Sequence, residues 1–444
     1  MLDDSERQCF AGVSAPYPPK SRSLLAAFVL FVAYLLAFAD RTVVALLVVP
    51  IEHDLALSNV QMGLLQGTAF AIFYALFGLP IAWAVDRFNR RSIATAGIAA
   101  WSLMTALAGL SRGFIPFFLA RVGVGAGEAT ILPTATSLLA DYLPPVWRGR
   151  VLGVFASGIY LGSGLAYILG GFILHRLHGR EMALPWVGAV HPWQIVLLTL
   201  ALLGLPLVAV MALMPEPVRR HSRGRRQEAR ISLTRYLVQA RSALAAHITG
   251  FTAMAFAGFA ATVWLPTIFI RDYGWSAGQA GTHLGLLSIV LGPIGSCTGG
   301  FLADRLERLK RADGKLLVAA LAACGAAPAA IMLGRADNAA TAFAAAAFFL
   351  FFSSFLWGLA PGALQEIIHG AALGRVTAIY TALLNLIGFG LGPATVALVA
   401  KLWCHDNLGH AVALVVPVAA CLAIFAFMAG RPAYRSARRR LGAV

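Results

Sequence analysis

Apolar positions in this chain run in long unbroken blocks, with neither the alternation of a half-buried strand nor the one-sided stripe of a surface helix. Twelve blocks can be marked, at about 24–50, 60–84, 92–110, 115–140, 151–173, 193–214, 243–270, 279–303, 316–333, 339–362, 376–400 and 411–430. Each has roughly 18 or more residues and few charges, the length of a helix that crosses a bilayer. Polar residues gather between the blocks. The pattern predicts an all-α membrane protein of twelve spanning helices. The longest polar stretch, 215–241, divides them six and six. Five regions follow: a tail at 1–23, a six-helix bundle at 24–214, a basic linker at 215–241, a second bundle at 242–431 and a basic tail at 432–444.

Composition strengthens this picture. Hydrophobic residues make up 59% of the 444 and charged residues only 12%, and the mean hydropathy is +0.77. A soluble domain is about half apolar and about a quarter charged. The formal net charge of +16 would suit nucleic acid, but its distribution argues against that partner. With the N-terminus placed in the cytosol, 27 of the 35 Lys and Arg residues fall on cytosolic segments and 6 on the opposite side. That asymmetry orients a membrane protein with both termini inside, and the basic linker suits anionic lipid. Residues 1–23 are polar and proline-bearing, so no cleaved leader is expected there. Cys9, Cys297, Cys324, Cys404 and Cys421 show no paired spacing and read as free thiols.

Short motifs recur between the halves. "WAVDRFNRR" follows the second block and "GFLADRLERLKR" the eighth. Asp86-Arg87 and Asp304-Arg305 lie 218 residues apart (86 to 304), and "GRV" occurs at 149–151 and 374–376. Two parallel six-helix repeats with a site between them at the bilayer midplane is a transporter plan. Acid-Arg turns at helix ends can lock neighbouring ends by charge-assisted hydrogen bonds. Asp86, Arg87, Arg91, Asp141, Arg150, Asp304 and Arg305 are therefore expected to form a cytoplasmic gate, with Arg148 beside them.

These turns resemble the G-x-x-x-D-R-x-x-R-R signature of the major facilitator superfamily. The second copy has Gly300 four before Asp304; the first has Ala82 at that position. Within the superfamily, three stretches resemble spinster proteins: "FADRTVVALLVVPIEHDLALSNVQMGLLQ", "ARVGVGAGEATILPTATSLLADYLPP" and "GSGLAYILGG". The likeness covers about residues 28–172. It implies two pseudo-symmetric bundles around a central cavity, and proton-driven transport of amphipathic, including anionic, molecules such as lysolipids.

Four charges stand inside the apolar blocks. Asp40 lies ten residues before Pro50, roughly 15 Å from that end of the block, and Glu128 is central to the fourth block. Arg41 and Arg121 lie nearby. A charge at mid-membrane costs about 2.5–3.5 kcal/mol and marks function by default. Arg keeps its proton, whereas a desolvated carboxylate can take one. Asp40 and Glu128 are therefore the candidate proton carriers, and Arg41 and Arg121 the charge partners or head-group binders. Arg121 and Glu128 share a helix face but lie about 10.5 Å apart, so each needs a partner elsewhere. All four are expected to face a wet cavity. Gly123, Gly125 and Gly127 leave room for a neighbouring helix; "GVGAG" lacks the strand-turn-helix setting of a nucleotide loop. The 218–225 offset carries Asp40 to about Gly258 and Glu128 to about Ser353, both uncharged.

Thr68, Ser157, Tyr160, Trp264, Phe352 and Phe355 are candidate cavity-lining residues. His175 and His178 make a poor metal pair, without acid or Cys neighbours, so no metal is expected. There is no G-x-x-x-x-G-K-[ST] and no intramembrane catalytic constellation, which argues against an ATP-driven pump and against an enzyme. The leading expectation is a monomeric, proton-coupled secondary transporter in the bacterial inner membrane. It would need no cofactor beyond the proton gradient and would move an amphipathic molecule or lysolipid. A polar organic anion or drug-like cargo is the alternative, and a non-transporting sensor or scaffold is the alternative of another class.

Overall fold

The computed structural model describes residues 17–177, 180, 182–184, 188–220, 233–368 and 370–442. Among the described residues twelve spans emerge, as expected. They are span 1 (Lys20–Leu55), span 2 (Asn59–Arg87), span 3 (Arg90–Gly109), span 4 (Phe114–Tyr142), span 5 (Pro145–Leu177), span 6 (Pro192–Leu213), span 7 (Ala240–Tyr273), span 8 (Ala277–Arg308), span 9 (Gly314–Gly334), span 10 (Ala339–Gln365), span 11 (Val376–Trp403) and span 12 (Leu408–Leu441). A two-stranded antiparallel hairpin joins spans 5 and 6, pairing Met182–Leu184 with Gly188–Val190.

Local chemistry sets the ends. Ser58 with Gln61 and Ser276 with Gln279 form capping boxes that start spans 2 and 8. Gly274, at φ 66°, closes span 7 in the left-handed conformation that glycine tolerates. Hydrophobic burial does not hold spans together in lipid; close packing does. In the first bundle span 1 packs on span 5, and span 3 on spans 4 and 6. In the second, span 12 packs on spans 7 and 9. Large apolar side chains such as Phe28, Val418 and Phe425 stay exposed at positions that face acyl chains in a membrane.

The bundles meet along two seams, span 5 on span 8 and span 2 on span 11. Backbones nearly touch there. A Cβ on Gly285 would lie 2.6 Å from the Gly164 carbonyl oxygen, and one on Gly67 2.6 Å from that of Phe389. Each helix of the second seam carries a π-helical turn, Leu64–Thr68 in span 2 and Leu384–Phe389 in span 11. Thr68 donates across the seam to the Gly390 carbonyl at 2.7 Å.

The seal lies on the side remote from the termini. There Arg271, at the end of span 7, pairs with Glu52 of span 1 and donates to Asn59 Oδ1 at 2.8 Å. Toward the termini the seam opens: Cβ atoms built on Gly149 and Gly153 of span 5, or Gly300 of span 8, would meet nothing within 4 Å.

Candidate functional site

Span 1 brings Asp40 and Arg41 to mid-depth as consecutive residues, about 100° apart around the helix. Span 4 brings Arg121 and Glu128 on one face. The two helices pair crosswise. Arg41 Nη2 lies 2.8 Å from Glu128 Oε2, and Arg121 Nη1 lies 3.6 Å from Asp40 Oδ1. Thr105 of span 3 donates its hydroxyl to Asp40 Oδ2. Each acid thus has the partner that the spacing on span 4 required.

Aromatic rings surround the Arg41 guanidinium. Its Cζ lies 4.6 Å from the Phe38 ring centre, 4.2 Å from that of Phe70, 5.1 Å from Tyr74 and 5.4 Å from Phe389. Such faces attract a cation without neutralising it. Several polar atoms stay buried without a hydrogen-bond partner: Asp40 Oδ1, Glu128 Oε1, Arg41 Nε, and Arg121 Nε and Nη2. A fully satisfied structural network would not leave so many orphans.

A cavity of about 910 Å³, counting its open part, lies between the bundles at this depth. Arg41 is the one charged residue on its wall among the described residues. Hydroxyls of Thr42, Tyr160, Ser163, Tyr167, Thr262, Ser288, Ser353 and Ser354 form a belt, and Phe38, Phe259, Trp357 and Phe389 supply rings. Thr42 and Ser163 bond each other at 2.9 Å.

The expectation that all four charges face the cavity needs correction. Arg41 does; Asp40 (2% exposed), Arg121 (1%) and Glu128 (0%) are sealed behind it. Gly125 is the reason. A Cβ there would lie 2.3 Å from the Phe70 carbonyl oxygen, so span 2 lies directly over this face of span 4.

Among the six candidate lining residues, Tyr160 lines this cavity. Thr68 is engaged in the span 2 seam. Ser157 bonds its own helix at the Val154 carbonyl. Trp264 is buried and donates Nε1 to the Pro393 carbonyl at 3.1 Å. Phe355 packs on Gly299 and Phe352 on Gly325, away from the cavity. The lining face of span 10 is instead Leu350, Ser353, Ser354 and Trp357. Its signal was the Ser-Ser pair inside an aromatic run, spaced from Leu350 and Trp357 as one helical stripe.

The gate residues are dispersed. Asp86, Arg87, Asp304, Arg305 and Arg150 are exposed. Arg87 lies over Trp83 and Arg150 over Trp147. Arg91 gives its backbone N–H to Glu216 at 3.0 Å. Asp141 pairs with Arg90, and Arg148 donates to the Leu143 carbonyl. These contacts stay within the first bundle and the stretch after it, because the bundles part on this side.

Sequence reasoning passed over the ties that join helix ends within each bundle on this side. Arg90 joins Asp141 and Glu216. Lys315 joins Glu366, and Asp313 takes Arg431 and Arg435. Burial alone would raise the Asp313 carboxyl, but its hydrogen bonds from Arg435 and Arg431 prevail and hold it down at about 2. Arg90–Asp141 and Lys315–Glu366 are the same tie at one offset, 225 residues (90 to 315, 141 to 366). The far-side pair Glu52–Arg271 was also missed. Of the weak metal pair, His178 falls outside the described residues, as do 1–16 and 221–232 of the tail and linker.

Twelve spans in two bundles around one mid-membrane cavity define a multi-pass membrane protein of the two-bundle carrier type. The chain belongs to the Major Facilitator Superfamily, whose pattern matches residues 30–393. It is 30% identical over 285 residues to an MFS-type efflux pump of Mycolicibacterium smegmatis, covering 64% of this chain and 63% of that protein. It is 28% identical over 293 residues to Protein spinster of Drosophila melanogaster, covering 63% and 46%. The match thus spans less than two thirds of either relative. A hexuronate transporter of Bacillus subtilis is 27% identical over 383 residues, covering 82% and 85%. Among solved structures, a bacterial homolog to the human lysosomal transporter Spinster, inward-facing and unoccupied, superposes with a TM-score of 0.77. It has 24% identity and covers 95% of this chain and 98% of that one. The relatives are membrane transporters, not enzymes.

Proposed function

We propose that this chain is a proton-coupled secondary transporter that moves an amphipathic, anionic molecule of the lysolipid kind by alternating access. The observation that carries the reading is the crossed quartet: two buried carboxylates, each with one oxygen that accepts no hydrogen bond, hold two arginines, and one of those arginines faces the cavity. A proton on Glu128 cancels its hold on Arg41. The freed guanidinium then offers its charge to a head group in the cavity, while Phe259, Trp357 and Phe389 contact the apolar part. A proton on Asp40 likewise releases Arg121 and loosens span 1 from span 4. In this reading the Arg271–Glu52 pair locks the outer side, and the termini lie in the cytosol of a bacterial inner membrane. The working unit is a monomer that needs lipid, no cofactor and no nucleic acid, and the proton gradient supplies the energy.

A second reading, a polar organic anion as cargo, rests on the belt of eight cavity hydroxyls and on the hexuronate transporter among the relatives. Protein reconstituted in vesicles, with internal pH followed during addition of a lysolipid panel or of small sugar acids, separates the two. Proton flux evoked by lysolipids supports the first; flux evoked by sugar acids alone replaces it with the second. Full pH-gradient dependence in both Glu128→Gln and Asp40→Asn would sink the coupling scheme.

A further inference from the structure

The second bundle has a groove whose lining residues are distinct from those of the central cavity. It is lined by spans 7, 11 and 12 and holds about 1440 Å³, measured as for the central cavity. Thr252 and Phe256 form part of its span 7 wall, Ile387, Thr395 and Trp403 part of its span 11 wall, and Val418 stands on span 12. No charged side chain lines it among the described residues. Its rim is continuous with the outer surface: Trp403 is 75% and Val418 71% exposed.

Two observations say what fills it. All its walls belong to membrane spans, so the surrounding medium is hydrocarbon. Trp403, at the far end of span 11, is an amphipathic ring of the kind found at head-group level, with the groove running inward from it. The groove is also close to the central cavity. Phe256 faces the groove while its neighbour Ala255 faces the cavity, and Ile387 and Phe389 divide in the same way on span 11. Between them the helices touch, a Cβ on Gly388 lying 2.8 Å from that of Ala255.

We propose that this groove is a docking site for one acyl chain of a bilayer phospholipid, held by spans 7, 11 and 12 and separated from the central cavity by a single layer of residues. The site stands whether or not the transport reading does. It needs only that these spans cross a membrane.

The full chain is reconstituted in phosphatidylethanolamine–phosphatidylglycerol vesicles carrying a small fraction of phospholipid with a diazirine in its tail. After photolysis, adducts are mapped by peptide mass spectrometry. The expected result is labelling of the 248–256, 395–403 and 414–422 peptides several-fold above 202–213 of span 6, whose exposed side chains line neither this groove nor the central cavity. Ala419→Phe, which fills the groove, should cut that labelling several-fold and leave span 6 unchanged. Thr395→Trp, on the more open wall, is the second variant should the first fail to fold. Equal labelling of all exposed spans overturns the proposal. So does cross-linking between copies of the chain through these peptides, or labelling by a lysophospholipid probe alone, which would assign the groove to cargo.

Discussion

The two bundles repeat each other at their ends and differ at their middles. At the termini side each ties the start of its third helix to the end of its fourth, by Arg90–Asp141 in one and Lys315–Glu366 in the other. At mid-depth the first bundle buries Asp40, Arg41, Arg121 and Glu128, where the second has Gly258 and Ser353 on the cavity wall. A feature present in both halves is accounted for by what both must do, which is fold and pack. A charged set present in one half alone costs that half several kcal/mol and is not demanded by the fold, since the other half folds without it. The comparison therefore accounts for the end ties by architecture, and the fold alone does not account for the central quartet.

The comparison breaks most sharply at Glu128. Glu128→Gln should abolish proton-driven uptake in vesicles, while Ser353→Ala, at the matching place, should leave the driving force unchanged and alter only affinity. Arg121→Ala leaves the Asp40 carboxylate buried and unpaired, which should cost about 3–5 kcal/mol in a detergent-solubilised unfolding titration. Gly258→Asp puts a lone acid into the second bundle. It should cost at most about 3 kcal/mol and create no new coupling, because no arginine of the second bundle is among the described residues of that wall. The smallest effect concerns an end tie. The Asp313 carboxyl is held down at about 2, below its ordinary 3.8. Its contribution of about 2 kcal/mol is complete above roughly pH 4 and is lost as pH falls toward 2. Asp313→Asn should remove that acid-side loss of stability and leave proton-driven uptake intact.

Much of this was legible in the sequence, and the rest was hidden for identifiable reasons. Block lengths gave twelve spans because a bilayer admits little else. The quartet stood out because charges are rare within such blocks, and the spacing of Arg121 and Glu128 already implied outside partners. Which of the four meets the cavity was not legible, since that depends on Phe70 of span 2 lying over Gly125. The helix-end ties went unread because exposed Asp-Arg turns are conspicuous as strings, whereas Arg90–Asp141 joins residues 51 apart. The repeat offset, applied to that pair, points straight at Lys315 and Glu366. The span 10 aromatics misled because bulk drew the eye to Phe352 and Phe355, although the small Ser353 and Ser354 mark where space lies.

The paired π-turns of spans 2 and 11 have a mechanical consequence. Each carries about one residue more per turn than its helix needs, and its hydrogen bonds reach further along the chain. Flexure should gather at those two points and leave the segments above and below as stiff arms. The two points also touch each other, so a fulcrum is already built into the seam on which the bundles would have to tilt.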